Sequence, residues 1–372
     1  MMEEKKSNNV LRNVILIIVV LFTGALLMYG VIYMYPQKFS TVVTKLEKDV
    51  TVNENGIADA VDKVYDAVVV VSTYNKTSLI SSGTGFVYKT DGDKSYILTN
   101  NHVISGGNKV TVTFTDGSVE ETNIVGSDVY SDIAVLSVSS DKIKAVAEIG
   151  SSNDSRLGDT LFTVGAPLDN VYSWTVTRGI LSGKDRMVEV SLNNSKTSDY
   201  VMKVLQTDAS INSGNSGGPL CNSNGEVIGI TSLKLVSSGV EGMGFAIPIE
   251  DAVSMAENII NGQNRENPYI GISMLNLSQA YYYQEYYSVI KESNVSSGVI
   301  IVSVDSSSGA GKAGLQEKDI ITKIGDTNVT SIAYLRYALY QYKTGDKVKV
   351  TYIRDGKENT AEVVLGSQKS TS

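Results

Sequence analysis

Three short stretches of the sequence contain the residue types that nucleophilic catalysis requires. Ser216 lies among glycines in "GNSGG", His102 is the only histidine of the chain, and Asp132 directly precedes the apolar run "IAVLSV". A serine hydroxyl is a weak nucleophile until a base accepts its proton, and an imidazole oriented by a carboxylate is such a base. These three residues therefore predict hydrolysis through a serine nucleophile.

The backbone around Ser216 is suited to a second catalytic task. Gly214 and Gly217 allow backbone conformations that residues with a Cβ atom avoid. Backbone N–H groups directed at one point stabilise the negative oxygen of a tetrahedral intermediate. The N–H groups of Gly214 and Ser216 are therefore candidates for an oxyanion hole.

Each stretch by itself also has an ordinary structural interpretation. A stretch rich in glycine and serine is often a surface turn, and an aspartate before an apolar run is often a turn residue. The order of the three residues along the chain, His102, Asp132 and Ser216, is however that of the chymotrypsin-type proteases. This order favours catalysis over three unrelated structural roles.

The motifs around these residues resemble those of the HtrA/DegP family of serine proteases. The matching stretches, in chain order, are "TNNHVI", "SDIAVL", "GSSNDSRLGDTLFTVGAPL", "TVTRGILSG", "QTDASINSGNSGGPL" and "GMGFAIPI". The resemblance implies that His102, Asp132 and Ser216 are catalytic and that Gly214 and Ser216 form the oxyanion hole. It also implies ATP-independent cleavage of unfolded or damaged proteins by a homotrimer, without a metal or other cofactor.

The carboxy-terminal part of the chain resembles the PDZ domain of the same family. The resemblance rests on "SGVIIVSVDSSSGAGKAGLQEKDIITKIGDTNV" and on "YIGI", which comprises Tyr269, Ile270, Gly271 and Ile272. PDZ domains bind the carboxyl termini of peptides by adding a strand to a sheet edge. The resemblance implies that "YIGI" is the carboxylate-binding loop.

The residues around the nucleophile also predict the substrate pocket. In the chymotrypsin-like arrangement one wall is "SIN" and the other is "ITS", which comprise Ser210, Ile211, Asn212, Ile230, Thr231 and Ser232. Ser210 stands where an aspartate would select arginine or lysine. A charged side chain without a partner is costly to bury, so we expect cleavage after small or medium aliphatic residues.

Two other functions are compatible with parts of this pattern. A catalytically silent chaperone or binding protein could have the same fold, but the complete set of His102, Asp132 and Ser216 argues against it. An esterase could use the same three residues, and a comparison of protein with ester turnover separates the two activities.

The charge and cysteine content exclude several other classes. The chain of 372 residues has a formal net charge of −8, which argues against a nucleic-acid partner. Cys221 is the only cysteine, so neither an intrachain disulfide nor a thiolate metal cluster can form.

The amino-terminal region predicts a membrane anchor. Residues 14–35 contain no charged residue, and about 20 apolar residues span a bilayer core as a helix. Lys5, Lys6 and Arg12 favour a cytoplasmic tail of residues 1–13, with all following domains outside the cytoplasm. The alternative is a cleaved signal peptide, whose apolar region is usually shorter. Residues 36–57 are polar and indicate a stalk.

The remaining chain predicts two domains that position these residues. Short apolar runs separated by turn residues indicate an all-β protease domain of two chymotrypsin-like barrels over residues 58–263. Within it, residues 249–262 have helical spacing. Residues 268–368 combine strand-like runs with the helical run "SIAYLRYALYQY" and indicate the α+β PDZ domain.

Overall fold

The computed structural model describes residues 3–34, 57–166, 173–191, 198–232, 242–263 and 267–368. Residues 36–56 of the predicted stalk lie outside the described residues. The chain divides into two compact units, Met1–Glu54 and Asn55–Ser372.

The amino-terminal unit contains one long helix, α1 (Glu3–Met34). Its stretch Arg12–Met34 comprises 23 residues and is apolar enough to cross a membrane by length and composition. At the helical rise this stretch is about 34 Å long, which exceeds the thickness of a bilayer core. The predicted apolar helix is confirmed, and its composition fits either an anchor or a signal sequence.

The second unit begins with helix α2 (Ala58–Tyr65) and a seven-stranded antiparallel sheet. Its strands are β1 (Val68–Asn75), β2 (Ser78–Asp91), β3 (Lys94–Asn100), β4 (Lys109–Thr113), β5 (Val119–Glu121), β6 (Asn123–Asp128) and β7 (Ile133–Ser139). They lie in the order β5-β4-β1-β2-β3-β7-β6. A single helical turn, α3 (Asn101–Ile104), follows β3.

A closed barrel of six antiparallel strands follows in the chain. Its strands are β8 (Thr160–Gly165), β9 (Thr175–Val190), β10 (Tyr200–Thr207), β11 (Pro219–Asn222), β12 (Val227–Thr231) and β13 (Gly244–Pro248). They close in the order β10-β13-β12-β11-β8-β9. Helix α4 (Ile249–Ile260) comes directly after β13, which confirms the helix predicted for this stretch.

One hydrophobic core joins the sheet to the barrel. Phe86 and Leu98 from the sheet and Phe162 and Ile230 from the barrel belong to the same cluster and are fully buried. Alternation along a strand sends neighbouring side chains to opposite faces, so most of the strands also contribute to a second, smaller cluster on the other face. The shared core fixes the sheet against the barrel.

The carboxy-terminal domain combines a sheet with short helices. Its strands are β14 (Asn267–Tyr269), β15 (Ile272–Asn276), β16 (Val299–Val304), β17 (Ile320–Ile324), β18 (Thr327–Asn328), β19 (Lys347–Arg354), β20 (Lys357–Val364) and β21 (Gly366–Gln368). Its helices are α5 (Leu277–Ala280), α6 (Gln284–Ser293), α7 (Gly309–Lys312) and α8 (Ile332–Leu339). The main sheet has the order β15-β16-β17-β19-β20, so β15 is an edge strand. The predicted change from an all-β to an α+β domain is confirmed.

Helix α8 of the carboxy-terminal domain packs on strand β10 of the barrel. Arg336 Nη1 donates a hydrogen bond of 2.7 Å to the backbone oxygen of Asp199. The rings of Tyr340 and Tyr130 meet edge to face with centroids 5.5 Å apart. These contacts join the two domains within one compact unit.

Candidate active site

His102 and Asp132 are brought together by two adjacent strands. Strand β3 pairs with β7, and His102 follows the end of β3 while Asp132 precedes the start of β7. Asp132 has a positive φ of 54°, a conformation that turns the chain sharply into the strand. Its side chain is fully buried, whereas that of His102 is 29% exposed. The imidazole therefore lies at the surface of the site and the carboxylate lies beneath it.

The carboxylate of Asp132 binds His102 through both of its oxygens. Oδ2 lies 2.8 Å from Nδ1 of the ring, and Oδ1 accepts the backbone N–H of His102 at 3.0 Å. Because a carboxylate only accepts hydrogen bonds, Nδ1 bears the proton in this pair. The other ring nitrogen, Nε2, is then available as a base.

Further donors hold Asp132 in place. The hydroxyl of Ser232 donates to Oδ2 at 3.1 Å. The side-chain amide of Asn100 and the backbone N–H of Asn101 donate to its backbone oxygen at 2.9 and 3.1 Å. A buried charge is costly unless it is hydrogen-bonded, and Ser232 together with the two His102 donors meets that requirement at the carboxylate. The two asparagine donors fix the backbone of Asp132 instead. The sequence placed Ser232 in the substrate pocket and did not indicate its bond to Asp132.

Ser216 lies in a glycine-serine loop, residues 208–218, between β10 and β11. The residue is 4% exposed, and φ is +100° at Gly214 and +86° at Gly217. A Cβ atom at Gly217 would overlap the backbone oxygen of Thr84. Gly214 and Gly217 are therefore required by the backbone shape of this loop, and Gly217 also by its close approach to β2.

Thr231 holds the peptide group that precedes Ser216. Its hydroxyl donates to the backbone oxygen of Asn215 at 2.6 Å, and the N–H of Gly218 donates to the same oxygen at 2.9 Å. The C=O and N–H of a trans peptide point in opposite directions, so the N–H of Ser216 is directed away from Thr231. The orientation of this peptide group is thus fixed by two donors at its oxygen.

The predicted pocket residues fall into an outer and an inner group. Ser210 and Asn212 are exposed and Ile211 is half-buried. The side chains of Ile230, Thr231 and Ser232 are instead fully buried in the core or used in the hydrogen bonds described above. If residues 230–232 line the substrate pocket, they do so with their backbone atoms and not with their side chains.

The predicted carboxylate-binding loop, residues 269–272, has its carbonyl groups engaged. The oxygen of Ile270 accepts the N–H of Ala310 at 2.9 Å, and that of Gly271 accepts the N–H of Asp305 at 3.0 Å. By the same trans-peptide geometry, the N–H groups of Gly271 and Ile272 point the other way. They lie at the start of the edge strand β15, where an added peptide strand would end.

The environment of Cys221 does not suit a nucleophile. Its side chain is fully buried, and burial raises the pKa of its thiol. The reactive form of cysteine is the thiolate, which this environment disfavours.

Comparisons with known proteins agree with this architecture. A family of trypsin-like peptidase domains matches residues 83–230, and the PDZ domain family matches residues 268–365. Serine protease Do-like HtrB of Bacillus subtilis (strain 168) is 39% identical over 336 residues, which cover 86% of this chain and 73% of the relative. The chain belongs to the HtrA family of serine proteases.

Other relatives of this HtrA-family protease extend the match. Serine protease Do-like HtrA of Lactococcus lactis subsp. cremoris (strain MG1363) is 39% identical over 363 residues, covering 90% of this chain and 88% of the relative. The serine endoprotease of Yersinia pestis superposes with a TM-score of 0.63 at 29% identity, over 84% of this chain and 98% of that chain. The HtrA-type protease AlgW, solved with a decapeptide, has a TM-score of 0.64 at 26% identity, over 84% and 99% of the chains. The predicted serine protease with a trypsin-like domain and one PDZ domain is confirmed.

Proposed function

We propose that this HtrA-family protease is a membrane-anchored, ATP-independent endopeptidase that degrades unfolded or damaged proteins of the cell envelope, with Ser216, His102 and Asp132 as its catalytic residues. The observation that supports the roles best is the buried carboxylate of Asp132, which accepts both the Nδ1 proton and the backbone N–H of His102.

The reaction follows from this arrangement. Nε2 of His102 accepts the proton of Ser216 as Oγ attacks the scissile carbonyl, and the imidazolium then donates it to the leaving amine. Water repeats the sequence on the acyl-enzyme and releases the acid. The N–H groups of Gly214 and Ser216 stabilise the oxyanion, a role supported by the peptide orientation that Thr231 maintains.

Replacing Ser216 tests this function. The Ser216→Ala variant of the full chain, purified in detergent, should lose about 10⁴-fold or more of its casein cleavage while its thermal melt stays unchanged. Cleavage retained by the variant would contradict the assignment. Protein and small-ester turnover measured side by side distinguish the endopeptidase from an esterase, and wild-type protein that binds unfolded casein without cutting it would indicate the catalytically silent chaperone.

We assign the substrate pocket to the side chains of Ser210, Ile211 and Asn212 and to the backbone of residues 230–232. Ile211 offers an apolar surface and none of these side chains carries a charge, so cleavage after Val, Ala, Ile or Leu is favoured. Mass-spectrometric mapping of cuts in an unfolded protein tests this preference. A dominant preference for cutting after Arg or Lys would contradict it.

The PDZ domain is assigned to the capture of substrate carboxyl termini by residues 269–272. The support is the pair of N–H groups at Gly271 and Ile272 beside the edge strand β15. A labelled apolar peptide should bind the Ser216→Ala chain about tenfold more tightly with a free carboxyl terminus than as its amide. Equal binding of the two forms would contradict this role.

The amino-terminal helix is assigned to the cell membrane, with residues 14–35 as the anchor and residues 1–13 in the cytoplasm. The support is the uncharged span and the basic residues before it. External protease should then digest residues 58–372 on intact cells stripped of their outer layers. If residues 58–372 resist external protease until the cells are lysed, this topology is contradicted.

The domain limits and the assembly are further parts of the proposal. We assign residues 36–57 to a stalk, 58–263 to the protease domain and 268–368 to the PDZ domain, and we expect a homotrimer that needs no cofactor. Sedimentation of the detergent-solubilised chain measures the assembly, and a monomer or dimer would contradict the trimer.

A further inference from the structure

Strand β2 approaches the glycine-serine loop through one buried residue, Thr84. Its side chain is fully buried and lies at the boundary between the first sheet and the barrel. The hydroxyl donates to the backbone oxygen of Gly214 at 2.6 Å and accepts the N–H of Ala166 at 3.1 Å. The backbone N–H of Thr84 donates to the oxygen of Ser216 at 2.9 Å.

We propose that Thr84 is a positioning residue for the reaction, because its hydroxyl holds the glycine-serine loop in the conformation that presents Ser216 and the oxyanion donors. This inference rests on the proposed role of Ser216 as the nucleophile. Thr84 itself lies behind the loop and acts through it.

The direction of the Thr84 hydroxyl proton follows from its neighbours. The N–H of Ala166 can only donate, so the hydroxyl oxygen must accept there and its single proton is directed to Gly214. The next N–H, that of Asn215, donates to the oxygen of Asn212 at 3.0 Å. The peptide group between Gly214 and Asn215 is therefore held at both ends.

This restraint matters because the loop is rich in glycine. Gly214 has a φ of +100°, and glycine reaches many other backbone conformations at little cost. A loop with such freedom requires fixed partners to keep its N–H groups directed at one point. Thr84 is such a partner on the side of the first sheet, where its hydroxyl binds the oxygen of Gly214. Thr231 is the partner on the side of the barrel, where its hydroxyl binds the oxygen of Asn215.

Two substitutions at position 84 separate the effect of the hydroxyl from the effect of the side-chain shape. Thr84→Val keeps the shape but leaves the oxygen of Gly214 and the N–H of Ala166 buried without this partner. Thr84→Ser keeps the hydroxyl and removes only the methyl group. The matched control is Thr163→Val, since Thr163 is a fully buried threonine of the barrel whose hydroxyl has no hydrogen-bond partner in the described residues.

The test compares these variants in the full chain with a chromogenic peptide and with a peptidyl aldehyde of the same sequence. The aldehyde forms a tetrahedral adduct with Ser216 and so reports on the oxyanion hole. In Thr84→Val, kcat should fall about ten- to a hundredfold with KM nearly unchanged, and affinity for the aldehyde should fall by the same factor. In Thr84→Ser, kcat and the affinity for the aldehyde should lie within about threefold of the wild-type values. In Thr163→Val both should equal the wild-type values.

Three results would overturn the inference. They are an unchanged kcat in Thr84→Val, an increase in KM without a change in kcat in that variant, and a fall in kcat in Thr84→Ser as large as that in Thr84→Val. If Thr84→Val does not melt cooperatively, Thr84→Ala removes the hydroxyl without adding an apolar group to the polar site and is judged by the same criteria. Wild-type protein without Ser216-dependent activity would instead refute the proposed function itself.

Discussion

At the scale of single residues, the site depends on a carboxylate that accepts three hydrogen bonds at its side chain. His102 supplies two donors and Ser232 supplies the third. All three groups are donors in this arrangement, so the oxygens of Asp132 match them without conflict. The carboxylate thereby selects the ring tautomer that leaves Nε2 without a proton, as the proposed base requires.

Asp132→Asn should therefore disable catalysis with little change in shape. An amide presents a donor where one of the three donors now binds, and the imidazole loses both its correct tautomer and its counter-charge. We expect kcat/KM for cleavage of a chromogenic peptide to fall about 10³- to 10⁴-fold. Ser232→Ala is the control, because it keeps the carboxylate, and its loss should be much smaller. Comparable losses in the two variants would refute this account of Asp132.

At the scale of elements, the approach of the glycine-serine loop to β2 leaves no room for a side chain at Gly217. Gly158 is a suitable comparison, since its φ of +92° is close to the +86° of Gly217 but nothing lies within 4 Å of a Cβ atom there. Gly217→Ala adds a clash to the backbone strain and should lower the free energy of unfolding by more than about 2 kcal/mol. Gly158→Ala carries the strain alone and should cost about 1 kcal/mol. Urea unfolding measures the free energy of unfolding of both variants. Equal losses of stability in the two variants would contradict the clash at Gly217.

Glu250 ties the first turn of helix α4 to the loop between β7 and β8, which contains Ser152. Its carboxylate accepts hydrogen bonds from the N–H and the hydroxyl of Ser152 at 2.7 and 2.6 Å. Partial burial alone would raise the pKa of Glu250, but these bonds and those from Asn153 outweigh it and lower the pKa. A lowered pKa in the folded state means that the carboxylate stabilises the fold above its unfolded pKa and loses this effect as the pH falls.

Glu250→Gln should accordingly destabilise the chain near neutral pH, by on the order of 1 kcal/mol. The difference from the wild type should shrink as the pH falls through the acidic range in which Glu250 takes up its proton. Asp251→Asn is the matched control, because burial raises the pKa of Asp251 and its charge then opposes folding at neutral pH. That variant should be as stable as the wild type or slightly more stable. Urea unfolding across this pH range decides the point, and a pH-independent loss in Glu250→Gln would contradict the role of its charge.

At the scale of the whole molecule, the PDZ and protease domains meet where α8 packs on β10. Arg336 binds the backbone oxygen of Asp199, and Ser331 donates to Glu189 at 3.0 Å. Strand β10 runs directly into the loop that contains Ser216, so the contact joins the PDZ domain to the chain segment that leads to the candidate active site.

Arg336→Ala should loosen this contact without unfolding either domain. Loss of a hydrogen bond of about 1 kcal/mol corresponds to roughly fivefold faster amide exchange in α8 and β10, with β16 and β17 unchanged. Hydrogen-exchange mass spectrometry measures this pattern. Arg156→Ala is the control, because the side chain of Arg156 forms an exposed ion pair with Asp159 at 3.4 Å, far along the chain from α8. Unchanged exchange in α8, or faster exchange throughout the PDZ domain, would contradict the prediction.

The sequence by itself determined the class of chemistry and most of the elements. A single histidine left one candidate for the base, and glycines around one serine marked the candidate nucleophile. The apolar span, the strand-like runs, helix α4 and the helical run at α8 were predicted because each depends on spacing within a short segment. These features are local, and local patterns are readable along the chain.

The tertiary structure alone decided how those residues are held. Ser232 reaches Asp132 across 100 positions of sequence, and Thr84 reaches Gly214 across 130. It also placed Ile230 and Thr231 inside the barrel rather than at its surface, and it set α8 against β10. Such contacts depend on how sheets pack and strands pair, and the residue types along the chain do not specify which distant group a serine or threonine hydroxyl will meet.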